Sequence, residues 1–279
     1  MTALPTIFVS HGAPTWAIEP GIIGPRLAAL AGSLPRPRAI LVVSPHWMSG
    51  ELRVTTNATP KTVHDFGGFP RQLYNIQYPA PGSPDTAQQV MTALKDHGYT
   101  VQADAEEGFD HGAWVPLRYM YPDADVPVIQ LSMRIHDRPE ACFKIGQSLA
   151  ALREQGILII GSGSLTHNLY EFRQGQDHHP ETYVKAFAFW VREALERGDV
   201  DALLDYRRRA PHAERAHPTE DHLLPLFFAL GAASSDRVDV RCIEGGITHG
   251  VLAMDAFLFG NPVSGSRESS QSKSQSTVA

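Results

Sequence analysis

Ala39-Ile-Leu-Val-Val-Ser-Pro-His-Trp47 opens as an unbroken apolar run, rich in β-branched residues, and closes on a proline, a histidine and a tryptophan. A strand buried on both faces reads this way. Pro45 has no N–H to give a ladder and biases Ser44 towards extended backbone, so the strand is expected to run out into a loop there. His46 and Trp47 then stand at its carboxyl end, the edge where open α/β sheets bind ligands. Thr6-Ile-Phe-Val-Ser10 repeats the design and ends in His11-Gly-Ala-Pro14. Two strands that each deliver a histidine at the carboxyl end point to a metal site built on His11 and His46.

Outward from this pair, strands and helices alternate. Strands are expected at Glu51 to Thr55, Tyr99 to Asp104, Val126 to Met133, Gly156 to Ile160 and Val238 to Ile243. Helices are expected at Ile22 to Ala31, Asp85 to Asp96 (capped by Ser83), Val115 to Met120, Arg138 to Glu154, Glu181 to Arg197, Val200 to Arg209 and Pro218 to Leu230. Gly250 to Phe259 fits strand or helix. Thr56 to Pro84 and Gly108 to Trp114 read as long loops rich in Gly, Pro and aromatics, which in compact domains carry function. The pattern predicts one α/β domain, residues 1–262, with a central, mostly parallel or mixed sheet flanked by helices. Residues 263–279 change to Ser, Gln and Lys and read as a disordered polar tail.

The 279 residues and a hydrophobic fraction of 43% allow a large core. A net charge of −6 gives no footprint for nucleic acid or an anionic membrane surface. Cys142 and Cys242 are the two cysteines and form no CxxC motif, so a disulfide framework or cysteine zinc site is not expected and a reducing cytoplasm is. The chain enters a strand almost at once, without a signal-peptide pattern, and no apolar run is long enough to span a membrane. No heptad points to an oligomeric state.

Position, rather than the count of 13, singles out histidines. His11, His46, His111 and His167 lie in loops beside Gly, Pro, Ser or Trp, and His217 and His222 flank an expected helix start at Pro218, with Thr219 as its cap. His97, His136, His178, His179 and His212 sit in polar surroundings and read as solvated. Two histidines plus a third residue, with open positions left, make either a hydrolytic zinc site or an oxygen-activating iron site. Spacing does not choose between them. HExxH, GxGxxG and GxSxG are absent. Gly161-Ser-Gly-Ser164 reads as a tight turn.

Six motifs carry a resemblance. Ser10-His-Gly-Ala-Pro14, Ser44-Pro-His-Trp47, His64-Asp-Phe-Gly-Gly-Phe-Pro70, Asp110-His-Gly-Ala-Trp114, Gly163-Ser-Leu-Thr-His-Asn168 and His217-Pro-Thr-Glu-Asp-His222 resemble the 4,5-DOPA dioxygenase extradiol family. That family is a branch of the class III extradiol ring-cleavage dioxygenases, similar to the protocatechuate 4,5-dioxygenase β-subunit. The resemblance runs from about Pro5 to Gly260. It implies a catechol-cleaving enzyme that uses O2 and yields a muconic semialdehyde. His11, His46 and His222 are the implied metal ligands, with His167 as acid/base and potential fourth ligand and His111 as a second catalytic histidine.

By the same resemblance the cofactor is one divalent metal, Fe(II) for dioxygenase activity, with Zn(II) able to take the same site. His222 stands where protocatechuate-type relatives place a glutamate, and three histidines suit zinc at least as well as iron. Glu220 and Asp221 are expected to point elsewhere along a helix. Trp47, Phe66, Phe69 and Trp114 are candidates for a wall against the substrate ring, with plain core packing as the competing reading. A zinc-dependent hydrolase on a similar fold is the alternative function.

Overall fold

The strand begun at Ala39 lies near the middle of the sheet, and the strand begun at Thr6 lies two places away. The structure is a computed structural model that describes residues 3–173, 179–233 and 239–260. The expected tail at 263–279, His178 and the first residue of the expected late strand, Val238, lie outside the described residues.

The strands are β1 (Thr6–Ser10), β2 (Ala39–Ser49), β3 (Leu52–Thr55), β4 (Val101–Asp104), β5 (Val128–Arg134), β6 (Ile157–Gly163), β7 (Val240–Ile243), β8 (Ile247–Thr248), β9 (Leu252–Ala253) and β10 (Ala256–Phe259). The helices are α1 (Ile23–Ser33), α2 (Pro84–Asp96), α3 (His111–Met120), α4 (Pro139–Leu149), α5 (Thr182–Arg197), α6 (Val200–Leu204), α7 (Tyr206–Arg209), α8 (Ala213–Ala216) and α9 (Leu224–Ala232). Among the described residues they make one α/β domain around an eight-stranded sheet of order β4-β3-β5-β2-β6-β1-β10-β7. β5, β2, β6 and β1 run parallel to one another, whereas β10 joins β1 antiparallel and β3 joins β5 antiparallel. The sheet is therefore mixed, with a parallel centre. β1 and β2 flank β6, so the carboxyl ends of these three strands lie side by side.

Burial explains why the centre is so apolar. Ile40 to Val43 and Ile157 to Ile160 are fully or nearly fully buried, with α9 packed against β6 and β1 and α3 packed against β2. Both cysteines are free thiols. Ser83 caps α2 as expected, accepting a hydrogen bond from the Thr86 N–H at 3.3 Å.

The expected helix Arg138 to Glu154 ends at Leu149 and continues as a 3-10 turn, and the expected helix Val200 to Arg209 is broken at Asp205 into α6 and α7. Four further differences from expectation bear on the site. β2 does not stop at Pro45 but continues to Ser49, with a register shift against β5 between Val43 and Met48. The shift puts the proline, which lacks a donor, where the ladder is already interrupted. α3 begins at His111 rather than Val115, because Asp110 accepts from the Ala113 N–H at 3.1 Å and caps it there. α9 begins at Leu224, and residues 217–223 form a turn, so Thr219 caps no helix. Gly161 to Gly163 are the last residues of β6, not a turn.

Candidate metal centre

The ends of the parallel strands bring four of the expected histidines to one place. His11 follows β1, His46 lies in the extension of β2, His111 opens α3 and His222 sits in the turn before α9. That turn is laced to the chain leaving β6. The Ser164 N–H donates to the His222 carbonyl at 2.8 Å, the His167 N–H donates to the Ala216 carbonyl at 2.8 Å, and His217 Nε2 meets the Leu165 carbonyl at 2.9 Å. Gly163 makes this possible: a Cβ there would stand 2.2 Å from the His222 carbonyl oxygen.

Three Nδ1 contacts decide which nitrogens remain for a ligand. Ser162 donates its hydroxyl proton to the Gly112 carbonyl, so its oxygen accepts from His11 Nδ1–H at 3.0 Å. His46 Nδ1 meets Asp65 Oδ2 at 3.2 Å, and His222 Nδ1 meets Asp221 Oδ2 at 2.5 Å. Each Nδ1 is thus the donor, which leaves the Nε2 lone pair on all three rings. His11 Nε2 and His46 Nε2 face each other at 3.1 Å, and His222 Nε2 is buried without a hydrogen-bond partner.

Two acceptor nitrogens at that separation, with no proton between them, repel unless a cation lies against both. Nitrogens each about 2.1 Å from one ion stand roughly 3.0–3.4 Å apart, which fits. One ligand atom from each of His11, His46 and His222 lies within 4.8 Å of the other two, and no other protein group satisfies the third nitrogen. The residues therefore fit a divalent metal. The anchoring of each ring by a hydroxyl or carboxylate is the outer shell such ligands use.

Electrostatics agree. Burial and then the neighbouring imidazoles of His46 and His111 hold His11 well below the ordinary histidine range, and burial with His111 and His222 pushes His46 down to about 2. Both rings are neutral at physiological pH, as ligands must be. Asp65 is pushed up by burial, but its bonds to His111 and the nearby charge outweigh this and hold it below the usual carboxylate range. Asp221 is likewise held low by His222 against its own burial. Asp110, fully buried under the site and bonded to Ser44 and Gln130, is pushed up to about 6 by that burial.

Two further histidines flank the cluster. His111 receives both oxygens of Asp65: its backbone N–H donates to Oδ1 at 2.9 Å and its Nδ1 to Oδ2 at 2.8 Å. His167 lies flat on His222, with ring centroids 3.4 Å apart and an interplanar angle of 8°. Its nitrogens do not join the group of ligand atoms formed by His11, His46 and His222. Burial first, then His222 and His217, pushes His167 down to about 2, so it too is neutral.

Above the cluster opens a cavity of about 350 Å³. All five of these histidines line it, with Phe66 and Phe69 on one side and Leu169, Phe172 and Leu252 on another. The structure does not bring Trp47 or Trp114 to this wall. Successive strand residues point to opposite faces, so His46 facing the site turns Trp47 away. Trp114, drawn into α3, is fully buried and donates its Nε1–H to the Val63 carbonyl at 3.0 Å, so it packs as core.

Asp65, Asp221 and Ser162 were not among the expected site residues. Asp65 stands in a motif that the sequence does single out. The sequence predicts that Asp221 points elsewhere along a helix, but no helix forms there, and its carboxylate turns back onto His222. Glu220 does point away, to Arg207 and Arg138. Ser162 gives no signal in the sequence, because its role depends on a carbonyl 50 residues away.

Comparison with known proteins adds a family. Residues 22–249 match the family model for the catalytic LigB subunit of aromatic ring-opening dioxygenase. The chain is 39% identical over 256 residues to a 4,5-DOPA dioxygenase extradiol of Escherichia coli K12, covering 91% of this chain and 93% of that one. It is 37% identical over 258 residues to a 4,5-DOPA dioxygenase extradiol of Beta vulgaris, covering 91% and 96%. A crystal structure of an uncharacterized Escherichia coli K12 protein superposes with a TM-score of 0.77 at 34% identity, over 92% of this chain and 100% of that one.

Proposed function

Since the chain belongs to the LigB family of aromatic ring-opening dioxygenases, we propose that it opens the ring of a catechol at one divalent metal ion held by His11, His46 and His222. The family is metal-dependent and works on an aromatic substrate with O2. The observation that carries the finer reading is the convergence of three bare Nε2 lone pairs at the floor of an apolar cavity. A redox-active ion such as Fe(II) at that floor supplies the electron path between a diol and O2, which closed-shell Zn(II) does not.

The protein's own groups do the rest. The cavity wall holds the aromatic ring through Phe66 and Phe69, whose rings meet edge to face at 5.6 Å. His167, on the cavity wall beside His222, is the base we assign to the diol: the anionic catecholate left beside it would hold the proton on the ring, against the burial and neighbouring imidazoles that keep its pKa low without substrate. His111 is locked by Asp65 in one tautomer, with Nδ1–H committed, so Nε2 is the nitrogen it offers to a substrate oxygen. His46 shares the same Asp65 oxygen, so one carboxylate orients a ligand and a flanking histidine together. The product is a muconic semialdehyde carrying both atoms of O2.

The test is anaerobic reconstitution with Fe(II) and, separately, with Zn(II), followed by a catechol and air. We expect O2 uptake matched by a yellow ring-opened product in the Fe(II) sample alone. No uptake in either sample would overturn the reading. Hydrolysis by the zinc form would put a metal hydrolase in its place.

A further inference from the structure

Beneath the five histidines lies a buried carboxylate, Asp110. Its oxygens take three bonds. Oδ1 accepts from the Ser44 hydroxyl at 2.8 Å and from the Ala113 N–H at 3.1 Å, and Oδ2 accepts from the Gln130 amide. Ser44 belongs to β2, Gln130 to β5 and Ala113 to α3, so one side chain joins two neighbouring strands and a helix start. Resting on the metal site proposed above, we infer that Asp110 is a positioning residue: through these hydrogen bonds it sets the places of His46, His111 and His11 together.

Three short routes lead from the carboxylate to the rings. The Ser44 oxygen that donates to Asp110 accepts from the His46 N–H at 3.3 Å, which ties the backbone of that residue to Asp110. The Ala113 bond caps α3 and fixes its first residue, His111, whose ring Asp65 then orients. The same first turn aims the Gly112 carbonyl at the Ser162 hydroxyl, whose oxygen meets His11 Nδ1 at 3.0 Å. The turn is pressed against the site. A Cβ on Gly112 would stand 2.3 Å from Ser44 Oγ and 3.1 Å from His11 Nδ1.

A helix cap alone does not need a carboxylate. Serine caps as well as aspartate and brings no charge into the interior. A buried carboxylate is costly unless its oxygens are satisfied. Here the second oxygen takes the Gln130 amide, whose own carbonyl oxygen is buried without a hydrogen-bond partner. The bonds to Ser44 and Gln130 add nothing to the cap, but they lock α3 against β2 and β5 at the level where the histidines emerge. A slip of the α3 turn would move His111 and the Ser162 bond together, and such a site tolerates only a fraction of an ångström.

The test separates a cap from a hub. Asp110→Ser keeps a capping oxygen but cannot reach both Ser44 and Gln130, whereas Asp110→Asn, with the Gln130 amide turned over, keeps all three contacts. Metal-free Asp110→Ser should melt close to the native protein, yet its His11 Nδ1–H, followed by NMR, should lose protection from exchange. Its Zn(II) affinity, read by competition with a chromophoric chelator, should fall by about 10–100-fold, the usual cost of losing an outer partner of a metal-bound histidine. Asp110→Asn should recover both readouts. Ser44→Ala, which leaves the cap intact and cuts the His46 route, should weaken Zn(II) binding with the His11 signal unchanged, and it decides the matter if Asp110→Ser fails to fold. Native His11 protection and native Zn(II) affinity in Asp110→Ser, or native affinity in Ser44→Ala, would overturn the inference and leave Asp110 a helix cap. Asp110→Asn as impaired as Asp110→Ser would overturn it as well, by showing that charge and not hydrogen bonding is at work. A native protein that holds no Zn(II) would instead defeat the metal reading, and the His11 signal would still decide the role of Asp110.

Discussion

At the floor of the cavity, His11, His46, His111 and His222 are each tied through Nδ1 to a hydroxyl or a carboxylate. At its mouth, Phe66, Phe69, Leu169 and Phe172 present carbon faces from two loops. The floor is held by directional bonds, three of its rings resting on strand ends or a helix start and the fourth on a turn stitched to β6. Such anchoring fixes a ring to a fraction of an ångström, whereas apolar contact tolerates sliding. The difference implies that chemistry is set at one level of the cavity and selectivity at another.

Substitutions should therefore lose effect from floor to mouth. The largest loss is expected for His11→Ala, which removes one of the proposed ligands and leaves Ser162 facing a void. Metal retention and turnover should vanish together, read by competition with a chromophoric chelator. Unchanged metal affinity would break the comparison at its base.

His167→Gln should lower kcat by about 10² to 10⁴, the usual contribution of a positioned acid/base, with metal content and catechol binding kept. Ring cleavage that survives the change would show that His167 is not the base.

Asp65→Asn keeps the shape but swaps one acceptor oxygen for a donor facing His46 and His111. A loss of about 10–100-fold in metal affinity or activity is expected, as for other outer partners of metal-bound histidines. Metal titration of the variant separates this from a simple fault in folding.

Away from the cavity's function, the comparison extends to the stability of the metal-free protein. His11, His46 and His167 have their pKa values depressed by burial, and His217 is brought down to about 4 by the same cause. Below the unfolded pKa near 6.5 the unfolded chain binds more protons than the native one, so stability falls as pH falls from there towards 4. Each such histidine contributes at most about 1.4 kcal/mol per pH unit. Asp110, raised to about 6, acts in the opposite direction, but it is one group against four. Denaturant midpoints between pH 4 and 7 give the slope.

Much of the floor could be read before the fold was known. His11 and His46 follow apolar runs that can only be buried strands, and strand ends in α/β sheets carry sites. The anchors could not be read in the same way. Asp65 reaches His111 across 46 positions, and Ser162 reaches His11 across 151, pairings that exist only once the sheet has formed. Boundaries failed where a local rule met a tertiary demand. Pro45 argued for a strand end, yet the register shift absorbs it. Gly108 to Trp114 read as a loop, yet the Asp110 cap starts a helix at His111. Pro218 looked like a helix start, but the bonds from Ser164 and His167 hold that stretch as a turn.

His11 and His46 are 35 residues apart, and His222 comes from the turn before α9, most of a chain length further on. An ion gripping all three closes long loops, and closing long loops is where a cross-link removes the most entropy from the unfolded chain. An ion held there would be a staple as well as a reagent. Stripped of it, the protein should come undone first where the turn at 217–223 meets β6, and it should close again only when the ion returns.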